Sequence, residues 1–313
     1  MMSGLFFPLY RAGAHLLLRG LGCRGFWFRV GDSRLRCWRV GPEAGEPWVM
    51  LHGLGSIAAS WTTLLRELRK ECRIVVPELS WLGGSDVPDG ALAVQDGTEV
   101  ACALIEREFP GRPVTLVGNS LGGWVALRLA LARPDLVSRL VLVGPGGYRE
   151  QDWAHIETLI RVTDLSDTDR LLAAMFVRPP ISQRILRHGF LAAFTSKAVR
   201  GALGKMSEDD AIAAEDLARI QAPTALVWGE HDGIFFVEVA ERIAAAMPHG
   251  VLYRVETAGH IVQWESPKSL VDAVRDFRLR TRGPQPDPQA SPRPGPPADP
   301  SPATQPPARG EVA

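Results

Sequence analysis

The chain carries no excess of either charge: lysine plus arginine number 35 and aspartate plus glutamate also 35, for a formal net charge of +0. No field of one sign would draw in nucleic acid. No basic run is interleaved with aromatics either, so nucleic acid is not expected as a partner. Cysteine is scarce. Cys23, Cys37, Cys72 and Cys102 form no CxxC pair and have no zinc-like spacing to histidines. Reduced, mostly buried thiols are therefore expected. HExxH, P-loop and carboxylate-cluster signatures are also missing, so neither a metal nor a cofactor is expected. Long apolar runs are absent too. The run that comes nearest is broken by Arg11 and Arg19, whereas a spanning helix needs roughly twenty apolar residues and a signal peptide would place its charge first. Cys23 has no lipoprotein cleavage pattern before it, because Gly20 and Arg19 occupy positions that an aliphatic run would hold.

What is present suits a globular protein. With 313 residues, 46% of them hydrophobic and 22% charged, the chain can bury a large core in one domain with an insertion. The leader, residues 1–24, opens the stretch GLFFPLYRAGAHLLLRGLGCRGFWF (4–28), which has no acid before Asp32. This basic, amphipathic segment suits either peripheral contact with a membrane surface or a helix packed on the domain itself. A cytoplasmic protein, with or without such contact, is expected. At the other end prolines recur from 284 to 307 with hardly an apolar side chain between them, which predicts a disordered tail over 281–313.

Between these ends, GFWFRV (25–30) and RLRCWRV (34–40) flank the turn Gly31-Asp32-Ser33 and read as a hairpin. Short apolar runs at 48–52, 73–79, 114–119, 139–144, 224–229 and 251–256 then alternate with helical patterns near 59–70, 95–109, 121–132, 237–247 and 267–280. That alternation predicts an α/β fold with a mostly parallel sheet covered on both faces. From 148 to 219 only helix-like segments occur, so this interval is expected as a helical cap over the strand ends, inserted in a core of 25–147 and 220–280.

Two glycine turns compete for attention. His52-Gly53-Leu54-Gly55-Ser56-Ile57-Ala58 matches a dinucleotide fingerprint, and Glu78 lies where a ribose-binding acid would. Against that reading stand the hairpin before the strand, the unexplained His52, and the second turn. There, Gly118-Asn119-Ser120-Leu121-Gly122 fits G-x-S-x-G at a strand-to-helix junction, a strained turn that lifts a serine hydroxyl above the sheet. Gly118 and Gly122 make room where any Cβ would clash. A serine needs a base and an acid to orient it, and after this turn the chain order should be serine, acid, histidine. Asp232, after the strand TALVWG, and His260, after VLYRVE, fit that order and share the sheet edge with Ser120. Leu121 and Leu54 would supply backbone N–H groups to an oxyanion, with His52 and Gly53 supporting the second. Glu230 and His231 lie nearer the strand end, while His15, His155, His188 and His249 are assigned to surface or packing.

With these residues assembled, HGLGS, ELSWLGGSD, GNSLGG, WGEHD and GHIVQWESP resemble the α/β-hydrolase family over roughly residues 25–280. The resemblance implies the α/β-hydrolase fold and, with serine rather than aspartate at the nucleophile position, sets aside the haloalkane dehalogenase and epoxide hydrolase branches. The chain departs from D-x-P-G-x-G-x-S at Glu78, Ser80 and Trp81, which weakens substrate inference. MFVRPPIS (175–182), LVGPGGY and the leader are similar to monoacylglycerol-lipase-like esterases, whereas GNSLGG and QWE are similar to hydrolases that cleave carbon–carbon bonds in ring-fission products. The latter usually place Trp after the histidine, where this chain has Ile261. The expected substrate is a small-molecule ester of a medium or long acyl chain. The alternatives are a ring-fission diketone or, in a non-catalytic hydrolase-fold protein, a bound ligand.

Overall fold

A computed structural model describes residues 3–79, 85–87, 92–178, 183–206 and 210–281. In chain order its elements are α1 (Ser3–Gly20), β1 (Arg24–Val30), β2 (Ser33–Val40), β3 (Glu46–Leu51), α2 (Thr62–Leu68), β4 (Cys72–Pro77), α3 (Val94–Glu108), β5 (Val114–Asn119), α4 (Leu121–Ala132) and β6 (Val137–Val143). There follow five helices, α5 (Trp153–Ile160), α6 (Leu165–Met175), α7 (Gln183–Phe194), α8 (Lys197–Gly204) and α9 (Ala214–Leu217). The chain then returns through β7 (Thr224–Gly229), α10 (Val237–Ala246), β8 (Gly250–Val255), α11 (Val262–Glu265) and α12 (Pro267–Thr281).

The eight strands form one sheet in the order β1-β2-β4-β3-β5-β6-β7-β8, antiparallel at β1/β2 and β2/β4 and parallel elsewhere. Period-two alternation explains its two cores. Val49 and Leu51 of β3 face one layer with Leu104 of α3 and Leu129 of α4. Trp48 and Met50 face the other with Leu65 of α2, Phe277 of α12 and Leu18 of α1. Every residue of β5 and β7 is buried, as strands covered on both faces must be. The edge strand β8 is only half-buried.

The chain leaves β3 toward β4 on one side and β5 toward β6 on the other, so a crevice opens at the carboxyl ends of β3 and β5. Over that crevice lie the helices of 148–219. Three begin on side-chain caps: Asp152 accepts from His155 N, Asp164 from Asp167 N and Ser196 from Val199 N, each satisfying an otherwise orphaned donor. The helix expected at 59–70 instead starts as a 3-10 turn, Ala58–Trp61, before α2. Pro179, Pro180, Ser80, Trp81 and the tail from 282 onward fall outside the described residues, while Thr281 closes α12.

Candidate active site

β5 ends at Asn119 and α4 begins at Leu121, leaving Ser120 to make the whole turn. Its φ is 53°, the only positive φ of a non-glycine among the described residues, and a strained conformation of this kind persists only where its surroundings enforce it. They do so here. Ser120 N–H donates to Val143 O at 3.1 Å, and Ser120 O accepts from Trp124 N at 3.0 Å and Gly146 N at 3.1 Å. Close backbone approach explains the flanking glycines: a Cβ on Gly118 would lie 2.4 Å from Gly122 O, and one on Gly122 2.4 Å from Leu51 O.

Asp232 and His260 are both buried and meet at 2.8 Å, His260 Nδ1–H donating to Asp232 Oδ2. The other carboxylate oxygen accepts from Ile234 N and Phe235 N, each at 2.9 Å. Both lone-pair faces of the acid are thus engaged, and the imidazole is held with Nε2 as its free nitrogen. Gly144, at the end of β6, sits beneath this pair; a Cβ there would come within 3.3 Å of both Asp232 Oδ2 and His260 Nδ1. Phe235 packs edge-on against the His260 ring at 5.2 Å. Ser120 and His260 line the same pocket.

The loop after β3 closes against the serine turn. A Cβ on Gly53 would lie 3.2 Å from Ser120 Cβ, and neither Leu54 N–H nor Leu121 N–H has a hydrogen-bond partner among the described residues. His52 anchors the loop from within. Its Nε2 accepts from Leu79 N at 3.0 Å, which leaves Nδ1–H to donate to Gly53 O at 3.0 Å. Burial pulls its pKa down to about 4, partly opposed by the Gly53 bond. Glu78 supports the same loop, with Oε2 accepting from Ala58 N at 3.1 Å and Oε1 from Trp38 Nε1 at 3.2 Å. Burial pushes its carboxyl up to about 7. The residue that could have read as a ribose ligand is therefore an internal brace, and Gly55 faces the Phe194 ring of α7, which offers nothing to a pyrophosphate. Among the described residues no group of three or more His, Cys, Asp or Glu is placed to hold a metal ion.

The helical insertion is stapled to the two loops that carry Asp232 and His260. The last carbonyls of α6, which a helix leaves unsatisfied, accept from those loops: Ala174 O from Gly233 N at 2.9 Å and Met175 O from His260 N at 2.8 Å. Glu265 adds a second tie. Its Oε1 accepts from Val177 N at 2.9 Å and Arg178 N at 3.3 Å, and its Oε2 from Gly259 N at 2.7 Å. His155, assigned from sequence to surface or packing, bonds Gly233 O through Nε2 at 2.8 Å and stacks on Phe236. The signal that could have singled out Glu265 is its place in the QWE run after His260. His155 had no local signal, since its partner lies 78 positions away. Of the other candidates, Glu230 pairs with Arg254 at the surface and His15 packs at 4.8 Å from Trp38.

The pocket above Ser120 is walled by apolar side chains of the insertion, among them Trp153, Ile156, Leu171, Phe190 and Phe194, with Tyr10 of α1 at its edge. The model of the alpha/beta hydrolase family matches residues 48–273, a span that includes Ser120, Asp232 and His260. A 2-hydroxy-6-oxononadienedioate/2-hydroxy-6-oxononatrienedioate hydrolase of Cupriavidus pinatubonensis is 27% identical over 277 residues, which is 79% of this chain and 92% of that protein. The fold is shared with a bacterial membrane phospholipase A described as a virulence factor (TM-score 0.77, 24% identity, 89% of this chain and 93% of that one). It is shared equally with the carboxylesterase CesB of Bacillus subtilis (TM-score 0.76, 19% identity, 88% and 98%). With a serine turn, a buried Asp–His pair and an apolar pocket on an eight-stranded, mostly parallel sheet, the chain belongs to the alpha/beta hydrolase family.

Proposed function

We propose that the protein is a serine hydrolase that cleaves carboxylic esters, of medium or long acyl chain, through an acyl-enzyme. The observation that carries the reading is Ser120, held in a strained turn and lining one apolar pocket together with an imidazole already oriented by a buried carboxylate. In this scheme Ser120 Oγ attacks the ester carbonyl while His260 Nε2 takes its proton. The oxyanion is met by the N–H groups of Leu54 and Leu121, both without a hydrogen-bond partner among the described residues. His260 returns the proton to the leaving alcohol, and then draws one from a water that releases the acid and restores the serine. Asp232 keeps the ring in register and stabilises its charged form. The apolar walls from the insertion favour a hydrocarbon chain over a charged substrate.

A second reading, cleavage of a ring-fission diketone, is favoured by the Cupriavidus relative, which is similar over most of this chain and by its name hydrolyses 2-hydroxy-6-oxononadienedioate or 2-hydroxy-6-oxononatrienedioate. Ile261, rather than the tryptophan that such enzymes usually place after the histidine, speaks for the ester. A panel of p-nitrophenyl esters of increasing acyl length, assayed beside a ring-fission diketone, decides between them. The ester reading expects turnover that rises from short to medium chains and exceeds that of the diketone. Preferential cleavage of the diketone would reverse the assignment.

A further inference from the structure

Four of the eight large hydrophobic side chains that stand exposed among the described residues, Tyr10, Leu16, Leu17 and Trp27, fall within residues 10–27. Helix α1 explains three of them. Its inner face is committed: Leu18 is fully buried, His15 packs on Trp38, and Leu21 is buried just beyond its end. Its outer face carries Ala12, Gly13, Leu16, Leu17 and Arg19, all exposed, with Leu16 at 70%. A helix face turned to water would be polar, and clustered exposed apolar side chains mark an interaction surface.

The charges in this stretch of the chain are of one sign. Arg11, Arg19, Arg24 and Arg29 occur in it with no acid before Asp32, and none of the four makes a close ion pair with a carboxylate among the described residues, although Arg11 acts on the buried Glu78. Beside them Arg34 lies over the Trp27 ring at 4.3 Å. Exposed apolar side chains interspersed with arginines complement the boundary of an anionic lipid layer. Among the described residues no helix is long and apolar enough to cross a membrane, so the fit is to its surface. Position relative to the pocket adds the functional link, because α1 packs against α7 and the 3-10 turn at Ala58, and Tyr10 lines the pocket edge.

We propose that the outer face of α1 docks on an anionic lipid surface, with Leu16 and Leu17 at the headgroup boundary and the four arginines on the lipid charges, bringing the pocket at Tyr10 to the lipid. Only the step that follows, passage of a lipid ester from that surface into the pocket, rests on the ester-hydrolase reading.

The test is flotation of the full chain with phosphatidylcholine vesicles, with and without phosphatidylglycerol. The protein should float with the anionic vesicles and detach as salt rises. Leu16→Ser combined with Leu17→Ser should lower partitioning by about tenfold or more while leaving turnover of a dissolved short-chain ester unchanged, which also reports an intact fold. Arg19→Glu with Arg24→Glu should abolish the preference for anionic lipid with the leucines still in place. The proposal is overturned if the wild-type protein floats with neither vesicle, if the leucine variant floats as well as the wild type, or if sedimentation shows that the two leucines hold a dimer instead. Loss of dissolved-ester turnover in the wild type would refute the ester reading and leave the flotation result standing by itself.

Discussion

Glu46 and Glu78 stand at opposite ends of the same sheet and titrate in opposite directions. Glu46 opens β3 at the amino-end rim, where Arg139 and Arg278 both bond its carboxylate. Burial pushes its pKa up, but the two guanidiniums outweigh that and hold it below the usual value. Glu78 follows β4 at the carboxyl-end rim and has only neutral donors, Trp38 Nε1–H and Ala58 N–H, so burial prevails and its pKa rises to about 7. One rim neutralises its charge with fixed partners. The other holds a carboxyl group beside a neutral His52, a few residues from the loop that faces the serine. The difference teaches that of these two buried carboxylates the one at the base is held by guanidiniums that tie strands together, while the one at the top is satisfied by neutral N–H donors, which fix a loop beside the pocket without an ion pair.

That contrast predicts which substitutions separate activity from stability. At the upper rim, Ser120→Ala should lower p-nitrophenyl-ester turnover by about a thousandfold or more with an unchanged circular dichroism spectrum and melting temperature. Glu265→Gln turns a donor toward a backbone N–H that the carboxylate now satisfies, loosening the His260 loop from α6. A loss of about tenfold in kcat is expected, larger than any change in KM, because the acyl pocket keeps its walls. An effect confined to melting temperature would show that the tie is merely structural.

At the base the order should invert. Glu46→Gln leaves Arg139 without its carboxylate and Arg278 with Glu71 alone, and should cost about 1–3 kcal/mol in urea unfolding, with kcat unaltered. Its pH signature follows from the sign of the shift: a depressed pKa contributes stability that is present above the ordinary carboxylate value and is lost as pH falls through the folded one. The smallest effect concerns Glu78. A raised pKa contributes stability that is full below the ordinary value and is lost as pH rises through about 7. His52, lowered to about 4, acts the other way, losing its contribution as pH falls below its ordinary value. Glu78→Gln should therefore gain melting temperature relative to the wild type as pH rises from 5 to 8. A difference independent of pH would contradict this account of Glu78.

The same contrast governs what could be read in the sequence. Parallel strands are short apolar runs, so β3 to β8 were legible as strands, and Ser120, Asp232 and His260 sit at strand ends where one local motif each marks them. The staples were not legible. Ala174 and Met175 take part through backbone carbonyls, which carry no residue signature, and His155 reaches Gly233 only through tertiary packing. Glu78 was visible but open to misreading, since its meaning depends on Trp38, 40 positions earlier. The orientation of α1 was equally hidden: its apolar residues cover more than one face, and only the packing of His15 and Leu18 shows which side turns inward.

The most direct test of the central claim is labelling by a fluorophosphonate, which reacts only with an activated serine. The account predicts a single stoichiometric adduct located by mass spectrometry on Ser120, abolished in Ser120→Ala and strongly slowed in His260→Ala. An unlabelled wild-type protein, or an adduct on any other residue, would contradict it.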